Sequence, residues 1–149
     1  MENSKDTSVK IGFVQKIGEG EFETETIWCE VDGENFVVDN IPFVAKGISS
    51  GDIISAEYDT DDEMYYFEDI IKTSGNSTVR IMFYDDKDIE PTREWLNKNN
   101  CESEGFPKRS MIAVNIPKEV DYKPIKTFLD SGENDGKWTY EESCLEHEY

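Results

Sequence analysis

Hydrophobic and polar positions alternate through the first half of the chain with the two-residue period of a pleated strand. Val9, Ile11 and Phe13 alternate with Lys10, Gly12 and Val14. From Thr24 to Val31 the same rhythm places Ile27, Cys29 and Val31 on one face and Thr26, Trp28 and Glu30 on the other. Asp32-Gly33 is a tight-turn signal, and Asn35 to Val38 follows it as the second arm of a hairpin. Pro42 has no amide hydrogen, so Asn40 to Val44 reads as an edge or a crossing segment rather than a central strand. Ile53 to Tyr58 is a further strand with Ile54, Ala56 and Tyr58 on one face. Asp59 to Glu63 is an acidic loop, and Met64 to Lys72 is the antiparallel return. Short strands joined by tight loops predict a small antiparallel sheet or barrel over residues 9–75, with no long helix before residue 88.

Ser74-Gly75-Asn76-Ser77 marks an internal boundary, and the rhythm changes after it. Thr78 to Tyr84 is a strand. Asp88 to Lys98 is a helix with Asp88 as its cap, Pro91 in its first turn, and Ile89, Thr92, Trp95 and Leu96 inward. A weak strand over 101–106 and a strong one over 110–116 follow. Pro117 to Leu129 then reads as a helix with Val120, Ile125, Phe128 and Leu129 inward, and Lys137 to Glu141 as a closing strand. That order predicts a ferredoxin-like β-α-β-β-α-β half over residues 76–149, with both helices on one face of the sheet. The expected class is therefore α+β, and residues 1–8, which are polar, are expected to be a disordered N-terminus.

Composition sharpens this picture. Fourteen Ile and nine Val against three Leu favour strands, because β-branched side chains suit a pleated surface and lose rotamer freedom in a helix. Thirty-four acidic against fifteen basic side chains leave a formal charge of −19, which repels phosphate backbones and anionic lipid alike, so neither nucleic acid nor membrane is an expected partner. No apolar run reaches the roughly 18 residues of a membrane span, and the N-terminus lacks a leader pattern, so a cytoplasmic location is expected. Cys29, Cys101 and Cys144 are odd in number and widely spaced, as reduced thiols are.

Candidate chemistry is sparse. His147 is the single histidine and is expected to fray with the terminus, which removes histidine-based triads. Cys29 falls on the inner strand face with Ile27 and Val31 and reads as an inert core thiol. Asp59, Asp61, Asp62 and Glu63 crowd one loop but lack the glycine and distal glutamate of a calcium loop, so a solvated hairpin tip is the simpler reading, and these four acids are expected to belong to a partner-binding surface. Trp138, Tyr140, Glu141 and Glu142 combine aromatics with acids on the closing strand. That mixture suits a protein-binding strip, and equally an edge strand whose aromatics pack on the second helix.

Several motifs occur in a familiar order: Ile27-Trp28-Cys29-Glu30, Asp39-Asn40-Ile41-Pro42-Phe43-Val44, Gly47 through Gly51-Asp52, Ser74-Gly75-Asn76-Ser77-Thr78-Val79-Arg80, and a closing Gly136-Lys137-Trp138-Thr139-Tyr140-Glu141-Glu142. Over roughly residues 22–145 the chain resembles the bacterial family called domain of unknown function 4265. The resemblance implies a bacterial, cytoplasmic, two-part protein in which Trp28, Glu30, Asp52 and Arg80, with Pro42, Gly51 and Ser77, form a shared feature at the junction of the halves. It brings no catalytic residues. The expected function is that of an acidic, non-enzymatic binding protein without cofactors: an immunity protein that neutralises a basic toxin domain, such as a nuclease, by stoichiometric binding, as in contact-dependent inhibition. A regulatory or small-molecule-binding module is the alternative, and an enzyme built on Glu30 and Asp52 is the third reading. Oligomeric state is left open.

Overall fold

The computed structural model describes residues 7–148. The chain divides into two compact units, the first ending at Ser74 and the second beginning at Gly75. Of the expected disordered stretch 1–8, residues 1–6 lie outside the described residues, and Ser8 opens the first strand.

In the first unit β1 (Ser8–Gly18), β2 (Glu21–Asp32), β3 (Asn35–Val38), β4 (Ile53–Asp59) and β5 (Met64–Lys72) close into a barrel. Successive strands pair antiparallel, and four reversals, an even number, make the fifth run with the first, so β5 meets β1 in parallel at Ile11–Tyr65 and Gly12–Tyr66. Ile11, Phe13, Ile27, Cys29, Phe36, Val38 and Ile54 fill the interior, and the Phe13 and Phe67 rings stack with centroids 5.1 Å apart. Val31 and Tyr58, assigned inward by the alternation, are exposed because each falls one residue from the end of its strand. Gly12 is required by close approach, since a Cβ there would lie 2.8 Å from the Tyr66 ring. No strand forms between β3 and β4, where Pro42 stands.

The second unit runs β6 (Ser77–Phe83), α1 (Ile89–Lys98), β7 (Glu102–Phe106), β8 (Met111–Ile116), α2 (Tyr122–Asn134) and β9 (Trp138–Cys144), with the four strands in spatial order β7-β8-β6-β9. Alternate residues of β6 and β8, among them Val79, Ile81, Ile112 and Val114, share one core with Leu96 of α1 and Tyr122, Ile125 and Leu129 of α2. Trp95 and Phe128 stack at 3.7 Å and tie the two helices together.

The expected α+β class with its ferredoxin-like half is corrected: helices are few, and the described residues are mostly β, 48% strand and 21% helix, as a closed five-stranded barrel and a second sheet. Two local reasons contribute. β1 and β2 run eleven and twelve residues, well past the stretches the alternation marked. The expected helix from Pro117 begins only at Tyr122, where the Asp121 carboxylate accepts the Lys123 N–H as its cap. Asp88 is likewise not a side-chain cap. Asp85 bonds the Lys87 N–H and starts a short 3-10 turn that already holds Asp88 in a helical conformation.

Candidate functional site

Each residue singled out in the sequence has a defined place. Trp28, Glu30 and Asp52 belong to the first unit and Arg80 to the second. Asp52 is buried, and its two carboxylate oxygens accept the N–H groups of Ser49 (2.9 Å) and Ser74 (2.8 Å), so it holds a loop and the end of the unit together. Glu25, which the sequence reading passed over, does the same for the crossing segment by accepting three successive backbone N–H groups, those of Phe43, Val44 and Ala45, at 2.7, 2.8 and 2.9 Å. Arg80 is 2% exposed and its Nε donates to Glu141 at 2.8 Å.

The closing strand is drawn into its own unit. Trp138 is buried and its Nε1–H donates to the Leu129 carbonyl (3.0 Å). Tyr140 donates to Asp130 and accepts from Lys126, while Glu142 accepts from the Tyr122 hydroxyl (2.6 Å) and pairs with Lys126 (3.3 Å). Burial and the Asp130 hydrogen bond push the Tyr140 hydroxyl up to about 12, against the opposing pull of Lys126. Burial works against the Lys126 charge, but Tyr140 and Glu142 outweigh it and hold the ammonium above its ordinary value. The site these groups form is a tie between α2 and β9. An unactivated phenol and a firmly charged lysine supply neither a nucleophile nor a base near neutral pH.

His147 does not fray as expected. Ser77 Oγ accepts the backbone N–H groups of Glu146 (2.9 Å) and His147 (3.2 Å), which directs its own hydrogen to His147 Nδ1 and leaves Nε2–H to donate to the Pro117 carbonyl (2.8 Å). The imidazole is a tether for the tail. Cys29 and Cys101 are buried, and burial first of all, reinforced for Cys29 by the Asp39 charge, pushes their thiols up to about 12 and about 11. A thiol that keeps its proton more tightly when folded stabilises fully below its ordinary value of 9.0, and that contribution is lost as pH rises toward the folded value. The denaturant midpoint is therefore expected to hold steady up to about pH 9 and fall above it. The fall is smaller in Cys29→Ala, and equal slopes in both proteins would show that another group governs it.

The acids of the β4–β5 hairpin tip stand apart from these internal ties. Asp59 Oδ1 accepts the N–H groups of Asp61 (2.8 Å) and Asp62 (3.3 Å), folding the tip so that Asp61, Asp62 and Glu63 project into solvent. Asp62 also accepts from the Tyr66 hydroxyl (2.7 Å), which raises the Tyr66 pKa. Beside them, the outward face of the β1–β2 hairpin leaves Val14 57%, Phe22 63% and Trp28 47% exposed, with Lys10 over the Trp28 ring at 5.2 Å. Trp28 was singled out from the sequence; Val14 and Phe22 were not. The signal was present, since Phe22, Thr24, Thr26 and Trp28 recur at the two-residue period opposite to that of Ile27 and Cys29. Among the described residues no group of three or more His, Cys, Asp or Glu side chains is arranged to hold a metal ion, and no helix is long and apolar enough to cross a membrane.

Residues 25–140 match the family model described as Domain of unknown function (DUF4265). No curated protein matches the chain. Among solved structures, it is similar to a hypothetical protein from Neisseria gonorrhoeae, with 24% identity and a TM-score of 0.81 over 95% of this chain and 97% of that one, a likeness of fold alone.

Proposed function

The chain belongs to the DUF4265 family, and from that premise we propose that it is an acidic binding protein that neutralises a basic protein, a toxin domain such as a nuclease, by stoichiometric association. The observation that carries this reading is the contrast between its acids. Glu25, Asp52, Glu141 and Glu142 are tied to groups of their own unit, whereas Asp61 and Glu63, with Asp62 bonded to the Tyr66 hydroxyl beside them, stand at an exposed hairpin tip in a chain of formal charge −19. Exposed carboxylates at the tip of a barrel hairpin attract a cationic cleft over long range, accelerate encounter and compete for the positions a phosphate backbone would take.

The test is titration of small basic bacterial nuclease domains with the purified protein at about 50 mM and about 300 mM salt, between which the screening length shortens from about 14 Å to about 6 Å. The expected result is an equimolar complex with at least one member, loss of nuclease activity on binding, and an association rate that falls steeply with salt. Association with none of them, or a rate indifferent to salt, would sink the reading.

A further inference from the structure

We infer that the outward face of the β1–β2 hairpin is the seat of a basic partner, its apolar centre covered by apolar side chains of that partner and its acidic ends by the partner's cations. This rests on the reading that the protein binds a basic protein. Strand register defines the surface. Lys10 lies opposite Trp28, Gly12 opposite Thr26, Val14 opposite Thr24 and Lys16 opposite Phe22, and paired side chains of an antiparallel ladder stand on the same face. Ile11, Phe13, Ile27 and Cys29, at the intervening positions, fill the barrel, so this set is on the outer face, exposed except at Gly12. From Phe22 to Trp28 the strand spans roughly 20 Å, the length of an interface rather than of a small-molecule contact.

Val14, Phe22 and Trp28 have no role in the barrel core, which is already filled by the opposite parity of the same strands. Exposed apolar side chains grouped on one face in so polar a chain, of mean hydropathy −0.68, mark a surface made to be covered. Its floor is fixed: the Tyr66 ring and the Met64 methyl lie over Gly12, where any Cβ would meet them at under 3.0 Å.

Charge selects the occupant. Glu19 and Glu21 flank the turn beside Phe22. At the other end, the parallel pairing of Ile11 with Tyr65 brings the loop before Met64, with Asp61, Asp62 and Glu63, alongside the start of β1 and hence near Trp28. Lys10 is engaged by the Trp28 ring, and Lys16 is exposed on this face opposite Phe22, three residues before Glu19 of the turn. A second copy would set one −19 charge against another, and an anionic surface would be repelled. A basic protein with an apolar contact centre satisfies both parts of the face, the arrangement by which interfaces combine an anchoring core with a steering rim.

The experiment uses a disulfide-cyclised hairpin peptide bearing leucines on one face, with arginines at both ends, and a second peptide with citrulline for arginine. Both are titrated into the full chain at about 150 mM salt, with amide shifts and tryptophan emission recorded. The arginine peptide is expected to bind with shifts confined to β1, β2 and residues 59–66. The Val14→Ser/Phe22→Ser variant is expected to bind about tenfold more weakly at unchanged melting temperature, a difference of about 1.4 kcal/mol. The citrulline peptide should bind neither protein. Where serine lowers the melting temperature, the Val14→Thr/Phe22→Thr pair, which keeps strand propensity, is used instead. Equal binding to wild type and variant, or shifts elsewhere, overturns this surface while the basic-partner reading stands. Failure of the wild type to bind the arginine peptide, together with no association in the nuclease titration, overturns both.

Discussion

Gly132→Ala is expected to destabilise the second unit by roughly 3 kcal/mol, although in an exposed helix the same change stabilises by about 1 kcal/mol. A Cβ added at Gly132 would fall 1.8 Å from Cζ2 and 2.2 Å from Cε2 of Trp138. The indole has nowhere to swing. Its Nε1–H is bonded to the Leu129 carbonyl, and its ring meets Phe83 at 5.7 Å and Phe128 at 5.4 Å. Relief therefore means shifting α2 from β9 or expelling the indole. Overpacking costs 1–3 kcal/mol, and loss of a buried aromatic 3–5, so about 3 is the middle of the range. Chemical denaturation followed by probes in β6 and β8 reads the effect. Trp138→Ala should cost as much or more, and the double variant should cost clearly less than the two single changes added, because removing the ring makes room for the methyl. A midpoint that rises in Gly132→Ala, or strict additivity, would show that the two residues do not compete for one space.

That pairing was invisible in the chain, and the reason generalises. Period-two alternation reports which face a strand residue takes, because facing is a local property of the backbone, and it placed Ile11, Phe13, Ile27, Cys29 and Ile54 correctly in the barrel interior. It says nothing about which distant group meets which. Trp138, Tyr140, Glu141 and Glu142 read equally as an interaction strip and as a strand whose aromatics pack on the second helix. Trp138 and Tyr140 do pack there, but the alternation could not choose, because Gly132, Lys126, Asp130 and Arg80, the groups that engage the four, lie between six and sixty-one residues away in the chain. Strand ends failed for a related reason. The hairpin from Val14 to Phe22 leaves apolar side chains outside, so a criterion built on burial stopped short of it and missed half of the candidate surface. The class expectation erred in the same direction, counting helices from apolar spacing where Pro117 to Asp121 makes a turn and where long strands dominate. His147 was judged by its nearness to the terminus, a rule that Ser77 overrides by offering one hydroxyl to three groups of the tail.

Glu25→Ala is expected to lower the stability of the first unit by about 3 kcal/mol or more, against almost nothing for Glu21→Ala two pairs along the same strand. Glu25 has the parity of Ile27 and Cys29, a carboxylate at an inward position, which burial would penalise unless donors met it. Three do: the N–H groups of Phe43, Val44 and Ala45 converge on its two oxygens. The segment from Asp39 to Asp52 has no ladder of its own, since Pro42 interrupts it, so these donors have no strand neighbour to serve them once the carboxylate is removed. Val44 and Ala45 are buried, and an orphaned buried amide costs about 1–3 kcal/mol, more when its lost partner was charged. Glu25→Gln separates charge from shape. The amide keeps one oxygen, enough for two of the three donors, and turns an NH2 toward the third, so about half the loss is expected. Hydrogen exchange at residues 43–45 should accelerate in both variants while the β1–β2 ladder stays protected. If exchange there is unchanged in Glu25→Ala, the crossing segment is held by something other than this carboxylate, and the barrel does not depend on it for the connection between β3 and β4.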